Sequence, residues 1–166
     1  MDVERFEALY LDLEKPLFNT VYRWVWNEQD AWDIVQDSFA KVWVIREQIL
    51  SDQAKAYLYR TALNKAANVR RRQKLWQWIG LEAETPSPEN LATDLEKRTL
   101  QVALKRALDG LSEPYRKVLL LARFADMTYA EIGDLMGIPA GTVASRIHKA
   151  IEKLRVLLKD WQGEWP

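Results

Sequence analysis

The stretch 127–158, MTYAEIGDLMGIPAGTVASRIHKAIEKLRVLL, leaves few ways to fold. Thr128 followed by Glu131 is a capping box, which predicts a helix from Tyr129 with Ile132, Leu135 and Met136 on one face. Gly137 can adopt the left-handed conformation that ends a helix, and Pro139, which needs no amide partner, opens the next. Along the second helix Val143, Ile147, Ala150, Ile151, Leu154 and Leu158 recur at helical spacing, leaving Thr142, Ser145, Arg146 and Lys149 on the remaining surface. Two readings fit: a helical hairpin with a solvated basic face, or a helix-turn-helix that places its second helix in a DNA groove. The tight Gly-Ile-Pro corner favours the second, as do the small or hydrogen-bonding residues in the turns that meet base edges. Arg146 can bond guanine bidentately, Ser145 and Thr142 can meet a base or a phosphate, and Lys149 most simply neutralises a phosphate.

The 166 residues suffice for one domain or two small ones, and 48% are hydrophobic, enough for cores. The absence of cysteine excludes disulfides, thiolate catalysis and cysteine-ligated zinc. No apolar run approaches the roughly 18 residues of a membrane span, and the N-terminus does not read as a signal peptide, so a cytoplasmic protein without membrane insertion is expected. A formal charge of zero argues against a nucleic-acid partner until its distribution is considered. Residues 53–81 contain no Asp or Glu but hold Lys55, Arg60, Lys65, Arg70, Arg71, Arg72 and Lys74. Glu82, Glu84, Glu89, Asp94 and Glu96 follow, and the final helix is basic again through Arg146, Lys149, Lys153, Arg155 and Lys159.

Helical patterns cover 3–26, 30–47 and 53–74, with no convincing alternating strand, so the chain reads as all-α. Thr-Pro-Ser-Pro-Glu within 82–90 marks a linker, with Ser87 and Pro88 capping a helix over 91–108 that Gly110 ends. A further helix over 114–125 and the helix-turn-helix complete a second, four-helix domain. The expected division is 1–74, a linker with the start of the next helix over 75–98, and 99–166.

Two signals lie in the first domain. In 30–43, DAWDIVQDSFAKVW, Ile34, Val35, Phe39, Val42 and Trp43 can pack inward while Asp33, Gln36, Asp37 and Lys41 stay outside. In 56–72, AYLYRTALNKAANVRRR, Arg60, Asn64, Asn68 and Arg71 or Arg72 are three or four apart and line one helix stripe. Asn is a poor interior helix former, and two on a basic stripe suit hydrogen bonding to bases better than simple solvation.

These two segments, followed by LSEPYRKVLLLARFADMTYAEIGDLMGIPAGTVASRIHKA over 111–150 and separated from it by an acidic Pro-containing linker, together resemble an extracytoplasmic-function sigma factor of the sigma-70 family. The resemblance implies a region 2 helical bundle and a region 4 domain joined by a flexible linker. It implies that region 2 binds the β′ clamp helices of core RNA polymerase and the minus-ten promoter element, and region 4 the β flap and the minus-thirty-five element. By it, Asp33, Gln36, Asp37 and Trp43 face polymerase, Arg60, Asn64, Asn68 and Arg71 meet the minus-ten element, and residues 49–54 form the loop that holds an unstacked base. Tyr57, Tyr59 and Trp76 either stack on bases or pack in the core. Thr142, Ser145, Arg146, His148 and Lys149 would meet the minus-thirty-five element. An anti-sigma factor is an expected partner; no cofactor or small-molecule substrate is.

The chain departs from the family pattern at Trp32, usually acidic, at Gly133, usually alanine, and at Ala144, frequently basic. His148 has no other His or Cys to complete a metal site, which favours a DNA contact. About 20 linker residues reach roughly 70 Å, enough to span two groove sites one to two turns of about 34 Å apart. The alternative is a stand-alone helix-turn-helix regulator of response-regulator type. An enzyme is the weakest reading, with no second histidine and no Gly-rich phosphate loop.

Overall fold

The computed structural model describes the backbone of residues 1–79 and 95–159 and the side chains of 1–79 and 100–159. Among these residues are seven helices and no strand: α1 (Val3–Val25), α2 (Glu28–Val44), α3 (Ser51–Trp78), α4 (Leu95–Asp109), α5 (Glu113–Phe124), α6 (Tyr129–Met136) and α7 (Ala140–Leu157). The all-α expectation holds. The chain divides into two compact units, Met1–Thr85 with Arg123–Met127, and Pro86–Ala122 with Thr128–Pro166. The expected linker acids Glu82, Glu84, Glu89 and Asp94, the side chain of Glu96, the Ser87–Pro88 cap and the helix start at 91 lie outside the described residues.

In the first unit, α1, α2 and α3 pack on one another because each presents an apolar stripe at helical spacing. Leu17, Val21 and Trp24 from α1 are buried, as are Ile34, Val35, Phe39 and Val42 from α2 and Leu58, Ala62, Leu63 and Ala66 from α3. The alanines keep this face of α3 shallow, which allows close approach of its neighbours. The buried hydroxyls of Thr20 and Ser38 donate to carbonyls one turn back, at Pro16 (2.9 Å) and Ile34 (2.6 Å), so neither is stranded in the core. The α1–α2 corner turns on Trp26, left-handed at φ 56°, whose N–H donates to the Tyr22 carbonyl at 2.7 Å. Asn27 then caps α2 by accepting from the Asp30 N–H at 2.8 Å.

Boundaries of α2 and α3 differ from expectation. Helix α2 ends at Val44 and gives way to a turn, not reaching 47, while α3 begins at Ser51 and continues four residues past Lys74 to Trp78.

In the second unit Leu108, Leu111, Val118 and Leu121 are buried, together with Ile132 and Leu135 of α6 and Val143, Ile147, Ala150 and Leu154 of α7. Arg116 is only 2% exposed, and its Nη1 donates to Asp109 Oδ1 at 3.1 Å, tying the end of α4 to α5. A charge this deep is held by hydrogen bonding, because an unpaired one would be expelled or neutralised.

Candidate nucleic-acid and polymerase interfaces

The α6–α7 corner is built as its residues require. Thr128 Oγ1 accepts from the Glu131 N–H (3.2 Å) while Glu131 Oε2 accepts from the Thr128 N–H (2.7 Å), closing the capping box. Gly137 ends α6 in the left-handed region at φ 68°. Gly133 answers a different need: a Cβ there would stand 2.6 Å from the Ile138 carbonyl oxygen, so the returning chain passes too close for any side chain. Pro139 precedes α7, and its carbonyl accepts from the N–H groups of Thr142 and Val143 at 2.9 and 3.1 Å.

At about 100° per residue, Thr142, Ser145, Arg146 and Lys149 span about 100° of the surface of α7, centred about 120° from the buried Val143, Ile147, Ala150 and Leu154. Ser145 and Lys149 are exposed, and Thr142 and Arg146 half-buried. His148 is exposed at the edge of this face, with Nε2 3.4 Å from Glu152 Oε1. No cluster of three metal-ligating side chains occurs among the described residues. Ile151, expected in the packing stripe, lies at its border and is 37% exposed.

On α3, Arg60, Asn64, Asn68 and Arg71 are all exposed along one stripe. Arg71 Nη1 donates to Asn68 Oδ1 at 3.0 Å, which holds the two side chains together. On α2, Asp33, Gln36 and Asp37 are exposed, and Asp37 pairs with Lys65 of α3. Exposed pairs of this kind are worth about 0–1 kcal/mol, so the carboxylate can be surrendered to a partner at little cost. Trp43 is half in and half out: its ring packs on Phe6 at 4.9 Å while the Arg46 guanidinium sits 4.1 Å over it. Between α2 and α3 lies an open groove of about 410 Å³ lined by Asp37, Ala40, Lys41, Val44, Ile45, Tyr57 and Lys65.

Residues 9–75 match the Sigma-70 region 2 family model and residues 101–154 the Sigma-70 region 4 model. The chain belongs to the sigma-70 family of RNA polymerase sigma factors. It is of the extracytoplasmic-function type and serves promoter-specific initiation of transcription. The sigma factor is 28% identical to the extracytoplasmic-function sigma factor SigW of Bacillus subtilis, over 96% of this chain and 91% of SigW. It is 30% identical to SigE of Mycolicibacterium smegmatis over 89% of this chain, and spans 59% of SigE's length. Its fold resembles that of CnrH, solved with the cytosolic domain of CnrY (TM-score 0.73, 23% identity, 95% of this chain and 89% of that one). It also resembles the sigma factor RpoE of Bartonella quintana, solved with the anti-sigma factor NepR (TM-score 0.71, 24% identity, 96% and 100%).

The structure decides between open readings of some residues of the sigma factor and corrects the expected loop. Tyr59 cannot stack on a base: it is fully buried, and burial pushes its phenol well above the ordinary value. The expected loop over 49–54 is mostly helix, since α3 starts at Ser51 and Ala54 is wholly buried; the connection between α2 and α3 is 45–50. Tyr57 is half-buried in the α2–α3 groove. Trp76 is 47% exposed but points about 125° away from the Arg60–Arg71 stripe. Trp32, the departure from an acidic residue, packs its ring on Phe18 at 4.3 Å and so joins α2 to α1. Ala144 is half-buried. No helix among the described residues is long and apolar enough to cross a membrane.

Proposed function

We propose a division of labour along the chain. Residues 1–74 bind core polymerase at the β′ clamp helices through Asp33, Gln36, Asp37 and Trp43, and the minus-ten element through Arg60, Asn64, Asn68 and Arg71. Residues 99–166 bind the β flap and read the minus-thirty-five element through Thr142, Ser145, Arg146, His148 and Lys149, and residues 75–98 join the two. The observation that carries this reading is the pairing, in one chain, of an exposed Arg-Asn stripe with a helix-turn-helix whose second helix carries a polar face apart from its packed one.

The protein catalyses nothing itself; it supplies promoter recognition and capture of the opened strand to an enzyme that does. It works in the cytoplasm, where polymerase and promoters are. CnrH and RpoE were solved with CnrY and NepR respectively, and by analogy an anti-sigma protein also binds this chain. Run-off transcription with purified core polymerase on fragments of the source genome tests the assignment. Transcripts with a fixed start that depend on the added chain are expected. A chain that shifts specific duplex DNA alone, with core enzyme neither binding nor initiating, would overturn it in favour of a stand-alone regulator.

A further inference from the structure

Helix α3 runs four residues beyond Lys74, and this extension places Leu75 and Trp78 in register with Arg60, Asn64, Asn68 and Arg71. Successive steps of four, four, three, four and three residues keep all six within about 80° of helix surface. Trp78 is 84% exposed and Leu75 54% exposed, the former an unusual state for the largest apolar side chain. From Arg60 to Trp78 the stripe measures about 27 Å at 1.5 Å per residue. Arg71, Arg72 and Lys74 precede Trp78 within about two turns of the same helix, and no acid occurs from Gln53 to the end of α3.

We propose that Trp78 is a further promoter-DNA contact, which lengthens the minus-ten interface by about two turns of helix beyond Arg71 and packs an aromatic ring on the nucleic acid at its far end. The basic, acid-free run of α3 that leads to it attracts a polyanion, and the ring has a flat face that takes any base, so it adds affinity without reading sequence. Continuity with the Arg-Asn stripe and charge complementarity select DNA over another apolar surface. This inference rests on the proposed placement of the minus-ten element on α3.

The test uses holoenzyme assembled from core polymerase and full-length chain, with a fluorescent promoter DNA whose minus-ten element is held open by mismatches. Trp78→Ala should weaken binding about tenfold, with Trp78→Phe retaining most of the affinity. The salt dependence of Trp78→Ala should match the wild type, because a ring displaces no counterions, whereas Arg71→Ala should flatten it. Asn64→Ala serves as the reference. If Asn64→Ala weakens binding and Trp78→Ala does not, the extension is wrong and the stripe stands. If neither variant has an effect, the minus-ten assignment of α3 itself fails. The inference is also overturned if Trp78→Ala acts by weakening assembly with core enzyme or by lowering the melting temperature of the free chain. Loss of binding to phosphatidylglycerol vesicles, with DNA affinity unchanged, would assign the ring to a membrane surface instead.

Discussion

Two glycines four residues apart serve the helix-turn-helix for different reasons, and substitution separates them. At Gly133, alanine would gain about 0.5–1 kcal/mol of helix propensity. Its Cβ would also be driven to 2.6 Å from the Ile138 carbonyl oxygen, a backbone atom that cannot step aside. Overpacking of that kind costs about 1–3 kcal/mol, so Gly133→Ala is expected to lower the melting temperature despite the better helix former. At Gly137 nothing would touch the new methyl, and only the left-handed backbone, φ 68°, opposes it. Gly137→Asn should therefore recover part of the stability lost in Gly137→Ala, and Gly133→Asn should recover none, a contrast read by thermal unfolding. Arg146 and Lys149 share a face, and the proposed function gives them different roles. Arg146→Ala should cost about 1–3 kcal/mol at particular minus-thirty-five base pairs. Lys149→Ala should weaken all sequences alike and reduce the salt slope by about 1, as measured by holoenzyme binding to a promoter mutation panel. Equal losses at every base pair for Arg146→Ala would make it a phosphate contact. Both residues' positions were legible from the helical spacing of their apolar neighbours, but the collision at Gly133 was not, because it depends on where Ile138 returns.

At the level of elements, α6 has eight residues and is too short to persist without its ends fixed. Thr128→Ala removes the hydroxyl that accepts the Glu131 N–H, and is expected to cost about 0.5–2 kcal/mol. Thermal unfolding should register the loss, with a matching drop in minus-thirty-five affinity because α6 positions α7. Unchanged stability would mean that burial of Ile132 and Leu135 alone holds α6 in place. Helix α3 was legible in its period and not in its end. Residues 59, 62, 63 and 66 already form an apolar stripe at helical spacing, which is the signal that Tyr59 faces inward; Tyr57, two residues earlier, cannot share that direction. The end at Trp78 had a weaker signal: Leu75 and Trp78 extend the 60–64–68–71 spacing, but they are apolar, and a polar stripe does not announce an aromatic continuation. The early stop of α2 at Val44 has no capping glycine to mark it.

For the whole molecule, a net charge of zero conceals two basic helix faces and an intervening acidic sequence. The free chain should bind duplex promoter DNA weakly and with strong salt dependence, since binding strength of this kind comes mainly from phosphate neutralisation. Titration of labelled promoter with free chain and with holoenzyme tests this, and tight sequence-specific binding by the free chain would contradict the need for polymerase. The sequence by itself determined the helical class, the corner between α6 and α7 and the stripe on α3, because capping, backbone angle and periodicity act within a few residues of one another. The tertiary structure alone decided that Trp32 packs on Phe18, that Arg116 is buried against Asp109, that Gly133 admits no side chain and that the ring of Trp78 stands open. Each of these depends on what another segment brings against a given face, and that information is not local in the chain.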